Sequence, residues 1–557
     1  MKRRQFIGAA VVGGGALLTQ NAQSTWARKL LSLVPTVPAP DSRIEVLTAE
    51  PIGTIAPEIY GHFAEHLGAV IYDGIWVGEN SKIANVNGIR KALVDALVKI
   101  KPSVIRWPGG CFADSYDWRD GIGPRDKRPR RTNFWVDAGE WPKDAPSGPW
   151  KYDTNQFGTD DFLRFCKLSG AQPYIAANLR SLSAKDFYQW VEYCNSPAGS
   201  TSLSDMRSNR EPAGVRYWGI GNESWGCGGN FTPEEYAAEF RRFTAWVPSY
   251  GVKLAFVGAG PNGGDLDWTR RFFTKLNERR AFGSLWGWAM HHYSWNVSAG
   301  RTTDWSKGKG DALNYNEEEW YELLHEADRV DGMISECWNV MGELDRAHRV
   351  KLVVDEWGAW YRPGSEVNNT HLLGQQSTIR DAVLAGQTLD TFHRHADKVG
   401  MAAIAQLVNC LQSLFLTHED QFILTPTYHV FDMYSVHQGK TALRTLVSSP
   451  RPDYTRNGQP ATLRGLNGSA SLDGKRLVLT VTNPDMKTAR ETEIAVRGAG
   501  IKSIKGTILA ATDVHAHNSF ADPNRLQPKE ISVAMSGTNL VHSFAPASVT
   551  RLDIELV

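Results

Sequence analysis

Between residues 57 and 435, short apolar runs alternate with longer stretches whose apolar positions recur every three or four residues. The runs are centred on Ile59 to Phe63, Val104 to Trp107, Pro173 to Ala177, Arg216 to Ile220, Leu254 to Val257, Trp288 to His292, Leu352 to Asp355 and Ala402 to Leu407. Apolar strands separated by amphipathic helices are the mark of βα units feeding a parallel sheet, which is covered on both faces. Eight such runs predict a closed (β/α)8 TIM barrel. Within one intervening stretch Ile89, Ala92, Leu93, Ala96, Leu97 and Ile100 form a stripe at helical spacing. Thr232-Pro233-Glu234-Glu235 predicts a capped helix start, and Ser183 with Asp186 a weaker one. Two long inserts, at about 112 to 155 and 294 to 318, follow the second and sixth runs. In a barrel both belong to the C-terminal face, where sites are built.

After residue 436 the period changes to two. Leu472-Asp473-Gly474-Lys475 reads as a hairpin turn, and Leu477, Leu479 and Val481, Ile494 and Val496, and Leu552, Ile554 and Leu556 alternate with polar neighbours. These predict a C-terminal antiparallel β-sandwich, with Asn467-Gly-Ser as a turn and the strand-like Arg43 to Leu47 pairing with it. The expected organisation is a leader over 1–27, a Pro-rich linker and N-terminal strand over 28–56, the barrel over 57–435 and the sandwich over 436–557.

The leader follows from Arg3-Arg4-Gln-Phe-Ile and a short apolar stretch ending near Leu18. That pattern predicts export to the periplasm or medium by a twin-arginine route, leaving no membrane segment after cleavage. With 61 basic and 60 acidic residues the net charge is +1, so no global field favours nucleic acid or an anionic membrane. Twenty Trp and 17 Tyr suit either stacking on sugars or large aromatic cores. The six cysteines are scattered without a C-x-x-C pair, which indicates neither a zinc ribbon nor a disulfide framework and leaves a single disulfide open. The basic cluster from Arg125 to Arg131 reads as a solvated or internally paired face.

Polar residues at the ends of the runs carry the chemistry: Glu65 and His66 at the first, Arg106 and Cys111 at the second, Asn178 at the third, Asn222 and Glu223 at the fourth, His291 to Tyr293 at the sixth, Glu356 at the seventh, and Gln406 and Asn409 at the eighth. Strands four and seven face one another across a barrel mouth. Carboxylates at their ends suit the paired acid and nucleophile of a retaining glycosidase. His66 and His292 read as structural.

Ile-Tyr-Gly-His-Phe-Ala-Glu-His-Leu-Gly (59 to 68), Ile-Arg-Trp-Pro-Gly-Gly-Cys-Phe-Ala (105 to 113), Phe-Gly-Thr-Asp-Asp-Phe-Leu (157 to 163), Trp-Gly-Ile-Gly-Asn-Glu (218 to 223), Val-Asp-Glu-Trp-Gly (354 to 358) and Ala-Gln-Leu-Val-Asn (405 to 409) resemble, in order, the α-L-arabinofuranosidases of glycoside hydrolase family 51. The resemblance implies that Glu223 is the acid/base and Glu356 the nucleophile. It also implies that Glu65, Arg106, Cys111, Asn222, His291, Tyr293 and Gln406 line a pocket for one arabinofuranose, and that Trp150 walls it from the first insert. It implies exo-hydrolysis of arabinan or arabinoxylan oligosaccharides with retention, requiring neither metal nor organic cofactor, by a chain that often assembles as a homo-oligomer. Some relatives of the family resemble endo-glucanases or xylanases with the same carboxylate pair, and that alternative stays open on sequence. Two departures fall near the leaving group. Cys111 stands where many relatives have Asn, and Asn178-Leu179-Arg180-Ser181 replaces a small Gly/Thr-rich loop.

Overall fold

The computed structural model describes residues 40–137, 151–279, 281–295, 309–368, 371–533, 535–536 and 539–557. The leader, most of the linker and Trp150 lie outside the described residues.

The barrel strands are β2 (Gly61–Phe63), β3 (Val104–Trp107), β4 (Gln172–Ala177), β5 (Tyr217–Ile220), β6 (Ala255–Gly258), β7 (Leu285–Ser294), β8 (Lys351–Ala359) and β9 (Val399–Ala405). They close in the order β6-β7-β8-β9-β2-β3-β4-β5, and each neighbouring pair is parallel. Each apolar run therefore supplies one stave. The first is shorter than its run, because Pro57 starts a 3-10 turn over Pro57–Tyr60 before the strand begins. Val104, Tyr174, Tyr217, Val257, Val353 and Met401 pack together inside the barrel and form its floor.

The outer helices follow the caps. Thr232 and Glu235 form a capping box at the start of α4 (Pro233–Thr244), and Ser183 and Asp186 do so for α3 (Ala184–Asn195). They follow α1 (Lys91–Ile100) and α2 (Thr159–Ser169). In α1 the buried stripe is Leu93, Val94, Leu97 and Ile100; Ala92 faces out, since one methyl loses little in water and the larger Val94 takes its place. The basic cluster is internally paired: Arg125 and Arg128 share buried Asp161, and Arg131 meets Asp120.

β1 (Ser42–Thr54) runs antiparallel to the strand Thr441–Ser448 and parallel to Arg490–Arg497. It thus inserts into a ten-stranded sheet that is otherwise antiparallel. Ile44, Leu479, Ile494, Phe544 and Leu552 share one core. Strands far apart in the sheet order meet there, so the sheet folds back on itself as a sandwich. Gly474, at φ 59, makes the expected hairpin turn. Asn467 does not sit in a turn. It opens the strand Asn467–Asp473, its side chain accepting from Arg394 Nη1 and reaching toward the Gln387 carbonyl. The helix Ile379–Arg394 is buried along almost its whole length, and its Asp390 accepts from Ser469 and Thr480 of the sheet.

Candidate active site

β3 and β8 bring two buried charges together. Arg106 donates from Nη1 to Glu356 Oε1 at 2.6 Å and from Nη2 to Asn222 Oδ1 at 2.6 Å, while Asp355 Oδ2 stands 3.4 Å from Nε, out of line for a hydrogen bond. Asp355 and Glu356 are adjacent on a strand and should face opposite ways. The pairing between β7 and β8 slips between Ala289/Val353 and His291/Glu356, and that irregularity lets both carboxylates meet the same cluster. Tyr174 from β4 donates to Asp355 Oδ2 at 2.8 Å. Asp355 is held below the usual carboxylate range: burial opposes this, but Arg106 and His291 outweigh it.

Glu356 has further donors on its other oxygen. Tyr293 OH donates to Oε2 at 2.8 Å, and His291 Nδ1 lies 3.4 Å from it. His291 Nδ1 also stands 3.0 Å from Glu223 Oε1, and its Nε2 is 3.2 Å from Asp355. Burial disfavours a charged imidazole, yet Glu356, Asp355 and Glu223 together push its pKa up to about 10. An oxygen of Glu223 lies within 4.8 Å of one of Glu356.

Glu223 itself sits at φ 39, an uncommon conformation for a residue with a Cβ. It follows Gly221, also at positive φ, and Asn222, whose N–H donates to buried Asp114. Burial raises Asp114 to about 7 against three backbone donors.

On the opposite wall, Glu65 Oε1 accepts from the N–H groups of Gly110 and Phe112, and Gln406 Nε2 donates to Oε2 at 3.1 Å. Burial, then the nearby Glu356, pushes Glu65 up to about 7. A Cβ on Gly110 would stand 2.9 Å from Glu356 Oε1, and one on Gly109 only 2.6 Å from Glu65 Cγ. The two glycines after Pro108 allow this close approach.

All the expected site residues that are described thus come together: Glu65, Arg106, Cys111, Asn222, Glu223, His291, Tyr293, Glu356 and Gln406. Asp355 and Tyr174 on their strands and Asp114 in the 3-10 turn Ala113–Ser115 join the cluster without any sequence signal that singles them out. Trp360, 5.1 Å from the Tyr293 ring, adds an aromatic flank. His66 and His292 are structural: His66 Nδ1 meets Asp153 while its Nε2 accepts from Trp107, and His292 meets the Glu326 carbonyl.

Cys111 differs from expectation. It is disulfide-bonded to Cys227, four residues after Glu223, and has no thiol to offer a sugar. Both sulfurs lie beside Glu223 Oε2, at 3.9 and 3.7 Å. Arg180 of the altered loop donates to the Cys227 carbonyl and to Ser115, bracing the same edge. Opening the bridge frees a loop of over a hundred residues and is expected to lower stability by about 2 to 4 kcal/mol. Cys111→Ser/Cys227→Ser should therefore melt earlier than the parent. It should also slow hydrolysis of poor leaving groups several-fold more than of activated aryl glycosides; equal slowing of both would show that the bridge does not support Glu223.

A family model described as the α-L-arabinofuranosidase 1 domain matches residues 96–307, and one described as the α-L-arabinofuranosidase C-terminal domain matches 355–548. An intracellular exo-α-L-arabinofuranosidase of Bacteroides ovatus is 36% identical over 89% of this chain and 92% of its own length. An intracellular exo-α-(1→5)-L-arabinofuranosidase of Bacillus subtilis is 27% identical over 89% and 95%. The crystal structure of the GH51 arabinofuranosidase from Xanthomonas axonopodis pv. citri is similar at 34% identity and a TM-score of 0.84, covering 92% of this chain and all of that one. The export expectation does not survive: the Bacteroides and Bacillus relatives are named intracellular, and the residues that suggested a leader lie outside those described. No described helix is long and apolar enough to cross a membrane.

Proposed function

The chain belongs to the α-L-arabinofuranosidases of glycoside hydrolase family 51, and from that premise we propose that Glu356 is the nucleophile and Glu223 the acid/base of a retaining, exo-acting α-L-arabinofuranosidase. The observation that carries the assignment is the unequal setting of two carboxylates within 4.8 Å of each other. Glu356 is 7% exposed and faces Arg106, Tyr293 and His291, a nest of donors suited to an attacking anion. Glu223 is 21% exposed, so its outer oxygen can serve a leaving group and then water. Their closeness suits retention, for which carboxyl groups about 5 to 5.5 Å apart are typical.

In the first step Glu356 attacks the anomeric carbon as the glycosidic C–O bond breaks and Glu223 gives its proton to the departing oxygen. In the second, Glu223 takes a proton from water, whose oxygen displaces Glu356 and releases arabinose. Glu65 and Gln406, locked to each other, present carboxylate and amide groups to sugar hydroxyls. Asn222, with its Oδ1 held by Arg106, turns its amide nitrogen toward Cys227 Sγ, 3.7 Å away and beside Glu223. The endo-glucanase or xylanase reading is not favoured, since the curated relatives above are named exo-acting. The substrate is expected to be arabinosyl oligosaccharides. With these, single arabinose units should appear from the start of the reaction and the first-formed sugar should be the α anomer, as read by proton NMR. Initial release of longer fragments, or of the β anomer, would refute the reading.

A further inference from the structure

Among the described residues, three groups of His, Cys or carboxylate side chains are close enough to share an ion. Two contain Glu223 and belong to the catalytic cluster and its disulfide. The third is Asp73, His371 and His418, with one ligand atom from each all within 4.8 Å of one another. They come from three loops at the barrel mouth. Asp73 is in the loop after β2, His371 in the loop after β8, and His418 ends the strand Phe415–His418 after β9. These are the same connections that carry Glu65, follow Glu356 and carry Gln406.

His371 is aimed into this group with no partner of its own. It is 1% exposed, and neither ring nitrogen has a hydrogen-bond partner. Asp73 Oδ2 lies 3.7 Å from Nε2, facing it but too far to bond. An imidazole buried without a partner costs free energy that nearby structure normally relieves. His62 is also buried without a partner, but it packs on Phe431 and burial pushes its pKa down to about 3, as suits an apolar neighbour. His371 instead faces a carboxylate and a second imidazole, the His418 ring lying 6.3 Å away between centroids.

The surrounding backbone is already set. A Cβ on Gly68 would come within 2.8 Å of the Leu372 carbonyl oxygen, so only glycine lets the first and seventh loops close on each other. The Leu373 carbonyl accepts from the Leu411 N–H, and Asn409 donates to Ala69 O and to Thr417, which in turn donates to Asp73 O. Arg90, held by the carbonyls of Gly74 and Glu419, stands 3.4 Å from Asp73 Oδ1 and leaves Oδ2 toward His371. His418 Nδ1 accepts from Asn368 Nδ2 at 3.0 Å, which holds the ring in place.

We propose that Asp73, His371 and His418 bind a divalent transition ion of the zinc class and that this ion clamps the three loops together. Two imidazoles and one carboxylate suit zinc or cobalt, whereas magnesium and calcium seek oxygen ligands. The nearby Arg90 weighs further against an ion held by charge alone. Ligands about 2.1 Å from a tetrahedral ion stand roughly 3.4 Å from one another. The His371 to Asp73 spacing is close to that, and the fourth position is open to water.

The test uses the full chain, stripped with EDTA, desalted, and titrated with zinc chloride by calorimetry and with cobalt chloride by visible absorption. One equivalent of zinc per chain is expected, with the strong visible bands of tetrahedral cobalt. Saturating zinc should raise the unfolding midpoint by a few degrees. His418→Ala and Asp73→Asn, both at partly exposed positions, should fold and lose all three signals. Binding well below one equivalent, or binding retained in both variants, as an ion at Glu223, His291 and Glu356 would give, would overturn the proposal.

Discussion

Glu356→Ala is expected to lose turnover on every arabinofuranoside, by a factor on the order of 10^4 or more, because no bond to the anomeric carbon can form without it. Glu223→Ala should behave differently. Its proton matters only where the leaving group cannot depart unaided, so arabinosyl oligosaccharides should lose about 10^2 to 10^4 in rate while an activated aryl glycoside still yields the glycosyl-enzyme. Added azide separates the roles by stereochemistry. With Glu223→Ala it intercepts the intermediate and gives an arabinosyl azide of retained configuration. With Glu356→Ala it enters directly in place of the missing carboxylate and gives the inverted azide. Exchange of these two outcomes would exchange the roles. The structural ground is the contrast around the pair: Arg106, Tyr293 and His291 surround Glu356, whereas Glu223 keeps one oxygen beside the Cys111–Cys227 bridge and is the more exposed.

Much of this is legible in the sequence. Each apolar run became a barrel strand because a parallel barrel buries both faces of its strands, and that leaves an unbroken apolar signature. Residues at the ends of those runs were legible for the same reason: once a strand leaves the core, a carboxylate such as Glu223 needs a purpose. Asp355 was not legible. Alternation assigns it to the face opposite Glu356, and only the slipped pairing between β7 and β8 turns both toward Arg106. The disulfide was hidden for another reason. Cys111 and Cys227 are separated by 116 positions and meet only because two barrel loops converge on Glu223, although a cysteine four residues beyond a candidate acid was a hint. The export reading shows the opposite failure, since it rested on a short charged and apolar start alone and the named relatives are intracellular.

Arg106→Met should lower both stability and rate, and a second substitution should separate the two effects. Arg106 is 2% exposed and serves Glu356, Asn222 and Asp355 at once, with its guanidinium 4.7 Å from the Phe63 ring centre. Burial alone would weaken its charge, but Asp355 and Glu356 raise its pKa, so it stays cationic at any working pH. Removing it leaves buried Asp355 with only Tyr174 and His291, and breaking a buried pair in this way costs about 3 to 5 kcal/mol. Adding Asp355→Asn removes the stranded charge, so the denaturation midpoint of the double variant should recover much of that loss. The rate should not recover. Glu356 would still lack the fork that fixes it and Asn222 in one plane, and a fall in kcat of about 10^2-fold or more should persist. Lysine is a poor substitute, because one ammonium cannot span two acceptors that sit on separate guanidinium nitrogens. If the double variant regained full kcat, Arg106 would be acting only as the counter-ion of Asp355, and its direct part in placing the nucleophile would be refuted.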